Sequence, residues 1–333
     1  MKIEKVKLND GKAVLTSYLL GESLEFVNID ARPAVLIFPG GGYHFTSDRE
    51  AEPIAMSFMA EGFNAFVLHY SVGKNEDFSS PWKDATEALA LIRKKAVEWN
   101  IESNKIGVVG FSAGGHLAAA LGTMGNERPN AMILGYPCIL SSIGDVLAFP
   151  VPSLEKEVDE LTPPTFLFST CEDQVVPVEH TIHFMHALNE KKIPFESHIF
   201  QAGNHGLSLA KSHTSSGMAS NVDDDVAGWF SLSVAWLKKV FGDFPVSDGS
   251  MMPDVNDTSE YSIDVKLEPL LEHPECRSIL LEYVPAFNDS DISDSAKDFS
   301  LRIVNRYYLR SLSESQLIEL DKRLKGVPYN ERE

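Results

Sequence analysis

A serine framed by glycines, Gly110-Phe111-Ser112-Ala113-Gly114-Gly115, follows the apolar run Ile106-Gly107-Val108-Val109 and precedes a small-residue stretch ending near Leu121. A G-x-S-x-G pentapeptide at a strand-to-helix turn forces its serine into a strained backbone conformation and presents the oxygen at the sheet's upper edge. The glycines two before and two after leave room for that approach. Ala113 N–H then points at the same spot from a helix N-terminus, where developing negative charge is favoured. The chemistry implied is nucleophilic attack on an acyl carbon. Upstream, Pro39-Gly40-Gly41-Gly42-Tyr43 ends a second apolar run, Ala34-Val35-Leu36-Ile37-Phe38. Glycine backbone can turn so that amides, not side chains, face a carbonyl oxygen, and each such donor is worth roughly 3 kcal/mol of barrier. Gly41, Gly42 and Ala113 are therefore the candidate oxyanion donors, and Tyr43 and Phe111 the candidate substrate-binding residues.

A serine at neutral pH needs a base to take its proton and an acid to orient that base. Such elbows are followed along the chain by the acid and then the histidine. After the apolar run Thr165–Phe168 comes Glu172-Asp173-Gln174-Val175-Val176-Pro177, a carboxylate loop just past a strand end. Asp173 is the favoured acid, with Glu172 as the alternative. His205, in Gly203-Asn204-His205-Gly206, is the base, singled out among 10 histidines by order, loop position and flanking glycine. His180, His183 and His186 share a helical face, but no carboxylate or cysteine motif completes a metal set, so no metal is expected.

These loops require a scaffold of strands and helices in alternation. Short solid apolar runs at Ala34–Phe38, Phe63–Leu68, Ile106–Gly110, Ala131–Gly135 and Thr165–Phe168 read as strands buried on both faces, and Phe195–Phe200 is strand-like. Between them, helical spacing marks Ile54–Met59, Asp84–Trp99, Ala113–Leu121, His180–Leu188 and Val226–Val240. The alternation predicts an α/β fold with a mostly parallel sheet and helices on both faces. Val14, Thr16 and Tyr18, then Leu24, Phe26 and Asn28, alternate as an antiparallel edge hairpin would. Cys138 to Pro164 reads as loop or a short cap without a long apolar lid.

The expected organisation is a catalytic domain over residues 1–242, a turn-rich polar linker over 243–262, and a small helical unit over 263–333. Helical spacing in the last is carried by His273–Tyr283, Ala296–Arg310 and Glu314–Leu324, with Ser313 and Gln316 placed as a capping box.

A net charge of −19 over 333 residues, with a pI near 4.9, argues against nucleic acid or an anionic membrane as partner. It also disfavours a highly anionic substrate unless a local site overrides the global field. The three cysteines, Cys138, Cys171 and Cys276, are too few and too scattered for a disulfide framework or a zinc site. The first ten residues hold no apolar signal-peptide core and no run reaches transmembrane length, so the expected location is the cytoplasm.

Taken together, these segments resemble the α/β-hydrolase superfamily. Within it, Pro39–Tyr43, Tyr70-Ser71-Val72, Gly110–Ala118, Asp173–Pro177 and His205-Gly206 are similar to bacterial carbohydrate (acetyl and acetyl-xylan) esterases of the BD-FAE-like and hormone-sensitive-lipase-like group. Pro39 stands where lipases with an HGGG loop carry histidine. The resemblance implies a Ser112-His205-Asp173 serine esterase that forms an acyl-enzyme, needs no cofactor, and acts on short acyl esters of sugars. A prolyl-oligopeptidase-like peptidase is the alternative, disfavoured because no propeller precedes Ala34. Exposed sheet edges and the helical tail fit a homodimer.

Overall fold

Strand side chains alternate between two faces, and here both faces are apolar, which calls for a helical layer on each side. The computed structural model describes residues 1–246 except 22, 24, 25, 27 and 30, residues 260–289, and residues 294–329 except 295 and 310. One 8-stranded sheet is formed by β1 (Lys2–Leu8), β2 (Ala13–Leu19), β3 (Arg32–Phe38), β4 (Asn64–His69), β5 (Ile101–Phe111), β6 (Ala131–Gly135), β7 (Thr165–Thr170) and β8 (Phe195–Phe200). Their spatial order is β1-β2-β4-β3-β5-β6-β7-β8. Pairs β1–β2 and β2–β4 are antiparallel, and all the others are parallel.

On one face, Leu36, Phe38, Leu68, Val108, Leu134 and Leu167 pack with α2 (Ser79–Lys94), α3 (Ala113–Met124) and α4 (Glu179–Glu190). On the other, Val35, Ile37, Val67, Val109, Ile133 and Phe166 pack with α1 (Glu52–Ala60) and α6 (Trp229–Phe241). The Val226–Val240 segment is split in two. A short turn of helix, α5 (Asp224–Ala227), is capped by Asp223, whose Oδ1 accepts from Val226 N at 2.8 Å, and α6 then starts at Trp229.

The edge hairpin differs from expectation. β2 does contain Val14, Thr16 and Tyr18, but its partner is the preceding strand β1, with Lys2 opposite Leu19. Phe26 and Asn28 lie outside any strand, and Leu24 lies outside the described residues. A strand with one open edge and solvent on part of its faces needs little apolar patterning, which is why Lys2–Leu8, exposed at alternate positions, carried no clear signal.

By packing, the chain divides into two compact units, Met1–Glu22 with Ile29–Phe244, and Ser23–Asn28 with Pro245–Glu333. In the second unit Leu267, Leu270, Leu280, Leu301, Leu320 and Leu324 form a separate core. Its helices include Leu267–Glu272, Pro274–Tyr283, Leu301–Val304 and Glu314–Lys325. The expected helix from Ala296 is broken: Ala296 is helical, residues 297–299 leave the helix, and it resumes at Leu301, where Ser300 Oγ accepts from Ile303 N, before widening into a π turn over Asn305–Leu309. Arg310 and most of the expected linker lie outside the described residues. Ser313 and Gln316 form the capping box reciprocally. No helix among the described residues is long and apolar enough to cross a membrane.

Candidate active site

In an open α/β sheet, ligands meet the chain beyond the carboxyl ends of the strands, where the strand order reverses. That reversal lies between β3 and β5, since β4 continues on one side and β6 on the other. The glycine loop leaves β3 there, and Ser112 leaves β5. Ser112 has φ 53° and ψ −119°, a strained conformation for a residue with a side chain. The glycines beside it are required by close approach. A Cβ at Gly110 would stand 2.3 Å from Gly114 O, and one at Gly114 would stand 2.1 Å from Phe38 O.

β7 and β8 deliver the other two groups. Asp173 is buried in the loop after β7, and its Oδ1 accepts from Val175 N and Val176 N, both at 2.9 Å. His205 Nδ1 is 2.7 Å from Asp173 Oδ2, and His205 Nε2 is 2.8 Å from Ser112 Oγ. A carboxylate can only accept, so the proton belongs on Nδ1 and Nε2 is left to accept from the serine hydroxyl. Glu172 points elsewhere, with its Oε2 3.4 Å from Gly203 N. Asp173, not Glu172, is therefore the carboxylate brought to His205.

The amides of Gly41, Gly42 and Ala113 donate to no protein acceptor among the described residues. The loop is shaped by His44 N and Phe45 N, both donating to Gly41 O, and by Ser47 N donating to Gly40 O. Gly41, Gly42, Ser112 and His205 line one cleft of about 300 Å³, together with Phe45, Arg49, Glu50, Val146 and Val175.

Two expected substrate contacts are not in that cleft. Tyr43 is fully buried: its hydroxyl donates to His116 Nδ1 at 3.0 Å, and its ring packs on Phe149 at 4.9 Å. The left-handed backbone of Gly42 and Tyr43 turns the ring down into the helical layer. Phe111 is also fully buried, because strand alternation sends it with Val109 onto the face that holds Trp229, 5.7 Å away. Both residues support the loops rather than the ligand.

Three other buried groups, none of them lining the cleft, are held neutral. Cys138 Sγ lies 4.0 Å from Ser112 Oγ, and burial pushes its thiol up to about 12, so it does not compete as a nucleophile. His116 Nε2 donates to Pro152 O at 3.0 Å, and burial holds this imidazole down at about 4. His180, also lowered to about 4 by burial, accepts from Ile139 N and Leu140 N. His180 is thereby engaged with the loop backbone. Among the described residues, no three histidine, cysteine or acidic side chains are grouped to hold a metal ion.

The residue missed from the sequence is Glu50. It is 3% exposed, and it accepts from Gly40 N at 2.8 Å and from Tyr136 O–H at 2.6 Å. Tyr136 O in turn accepts from Ser208 N at 2.8 Å, and its ring lies 5.1 Å from that of His205. One carboxylate thus ties the glycine loop to the loop that carries the histidine. Its signal was available, since Glu50 falls four residues before Ile54 and eight before Phe58, on the apolar phase of the segment.

With this geometry in place, similarity to known proteins becomes interpretable. A crystal structure of MGS-M1, an α/β-hydrolase enzyme from a Medee basin deep-sea metagenome library, shares 47% identity and a TM-score of 0.68, covering 72% of this chain and 98% of that one. The chain belongs to the α/β-hydrolase superfamily. The BD-FAE family matches residues 27–139, which hold the glycine loop and Ser112, and the prolyl oligopeptidase family matches residues 149–243, which hold Asp173 and His205. An acetyl ester-xyloside bifunctional hydrolase from Caldicellulosiruptor lactoaceticus is 34% identical with a TM-score of 0.60, over 69% of this chain and 89% of that one. Endo-1,4-beta-xylanase B of Butyrivibrio fibrisolvens is 38% identical over 56% of this chain, and an acetylxylan esterase of Xylanibacter ruminicola is 30% identical over 60% of it. The chain matches only 34% and 44% of the lengths of these two curated relatives.

Proposed function

We propose that this α/β-hydrolase is a serine carboxylesterase that removes short acyl groups, acetyl above all, from acylated sugars. The observation that carries the reading is the continuous line Asp173–His205–Ser112, joined at 2.7 and 2.8 Å and opening into a cleft bordered by undonated amides. Ser112 Oγ attacks the ester carbonyl as His205 Nε2 takes its proton, and Asp173 stabilises the imidazolium. The amides of Gly41, Gly42 and Ala113 receive the oxyanion. His205 then protonates the departing alcohol, leaving an acyl-enzyme that water cleaves by the same steps in reverse roles.

The cleft supports a small acyl group with a polar alcohol. Its 300 Å³ lies at the small end of ligand pockets, which run from about 300 to 1,000 Å³. Phe45, 60% exposed at its mouth, offers a flat apolar face to one side of a sugar ring, with Ser47 and Arg49 nearby to meet hydroxyls. The relatives named as acetyl-ester and acetylxylan hydrolases point the same way. The prolyl-oligopeptidase match over the Asp173–His205 half keeps amide cleavage as the second reading.

The test is hydrolysis of p-nitrophenyl acetate, butyrate and octanoate, acetylated xylo-oligosaccharides and an aminoacyl-p-nitroanilide by the native protein and Ser112→Ala. Turnover is expected to fall with acyl length and to drop at least about 10⁴-fold in the variant. Anilide cleavage without ester turnover would replace this reading with the peptidase. Near-normal activity of Ser112→Ala would remove the serine mechanism.

A further inference from the structure

Ion pairing accounts for Arg93, Arg128, Arg302 and Arg323, which face Glu127, Asp159, Asp264 and Glu282. Arg49 is different. It lies in the cleft wall, has no ion-pair partner among the described residues, and is the only lysine or arginine among the lining residues. Its Nη1 donates to Thr214 O at 2.9 Å, which fixes the guanidinium plane. Its Nη2 lies beside Gly206, 3.4 Å from where an added Cβ would stand, and has no hydrogen-bond partner among the described residues, while both residues line the cleft. Two carboxylates adjoin Arg49 in sequence, and neither is an ion-pair partner: Asp48 makes no ion pair with it, and Glu50 is engaged by Gly40 N–H and Tyr136 O–H.

The side of the cleft matters. His205 Nε2 must hand a proton to the departing alcohol, so the leaving group sits beside His205. Gly206 follows His205 directly, and Arg49 covers Gly206. The free guanidinium edge therefore borders the alcohol half of the substrate, not the acyl half. A planar fork anchored on one nitrogen and open on the other matches a carboxylate better than a lone hydroxyl. In a chain of net charge −19, an unpaired cation at this position also offsets the general repulsion of anions locally.

We infer that the preferred alcohol carries a carboxylate, as in an acetylated uronic-acid-type sugar, and that Arg49 is the residue that selects it. The inference rests on the esterase reading above and deepens it.

The experiment compares acetate release from an O-acetylated methyl glucuronoside and the matching O-acetylated methyl glucoside, which differ only in the carboxylate. The readout is the ratio of their kcat/KM values within each protein, so any general loss of activity in a variant cancels. The native enzyme should favour the uronate about five- to tenfold, the size of a partly exposed charge-assisted contact. Arg49→Gln should bring the ratio to one or below, and Arg49→Lys should retain part of the preference. As a measurement that needs no variant, the native ratio should shrink as salt rises from about 0.02 to 0.5 M. A native ratio of one, or a preference that survives Arg49→Gln or is indifferent to salt, overturns the assignment while leaving the esterase intact. Absence of turnover on p-nitrophenyl acetate as well would remove the esterase reading and this one with it.

Discussion

Replacing Glu50 by glutamine changes one atom's chemistry and almost no volume, which makes it a sharp test of how the glycine loop is held. The carboxylate now satisfies two buried donors, Gly40 N–H at 2.8 Å and Tyr136 O–H at 2.6 Å. A glutamine keeps one acceptor oxygen, and its amide nitrogen cannot accept from the other donor. One buried donor then loses its partner at a cost of about 1–3 kcal/mol. Glu50→Ala strands both donors and leaves a void, so about 3–5 kcal/mol is expected there. The catalytic effect follows from the oxyanion role proposed for the loop. A whole oxyanion donor is worth about 10²–10³ in kcat, and a displaced one somewhat less. Glu50→Gln should therefore lower kcat on p-nitrophenyl acetate about 10- to 100-fold, with KM changed less than about threefold, since the oxyanion exists only beyond the ground state. Urea midpoints and steady-state kinetics on the same preparations separate the two effects. The glutamine variant should lie between native and Ala in both. Native kcat in a destabilised Glu50→Gln would mean that the carboxylate merely fills space, and the positioning role would be wrong.

Two further outcomes follow from the site's neighbours. His116 has a folded pKa of about 4 against an unfolded 6.5, because burial disfavours its charged form. Below pH 6.5 the unfolded chain takes up a proton that the native state refuses. Its share of stability is thus complete above 6.5 and is lost as pH falls towards 4, up to about 3 kcal/mol. Denaturation at pH 7 and 4.5 should show a smaller acid loss for His116→Gln than for the native protein, and equal losses would contradict the assignment. Gly114→Ala would push a Cβ to 2.1 Å from Phe38 O and 2.4 Å from Pro39 O. It should cost about 1–3 kcal/mol or more and depress kcat through the adjoining glycine loop, and a variant with native melting and kinetics would refute the close approach.

Much of the scaffold was readable because central parallel strands are buried on both faces, so each appears as a short solid apolar run. Ala34–Phe38, Ile106–Gly110 and Ala131–Gly135 all fall within β3, β5 and β6. Edge strand β1 was not, since an element half in solvent obeys a weaker constraint. The helices of the second unit were blurred for a similar reason: Ser300 and the π turn at Asn305–Leu309 interrupt a spacing that looks continuous from Ala296.

The candidate nucleophile, base and acid were legible because their chemistry depends on local features: glycines at a tight turn, order along the chain, and loops at strand ends. Sequence alone determined the residue types, the elbow and the alternation that must present them. Which side chains then face the cleft was a matter of three-dimensional packing. Tyr43 and Phe111 adjoin the motifs in sequence yet turn inward, one by left-handed backbone and the other by strand alternation. Glu50 and Arg49 sit 62 and 63 residues before Ser112 in the chain, and only the folding of the β3 loop over the strand ends brings them to it. Covalent neighbours share a motif, but a buried carboxylate finds its donors, and a guanidinium its cleft, only when separate loops converge.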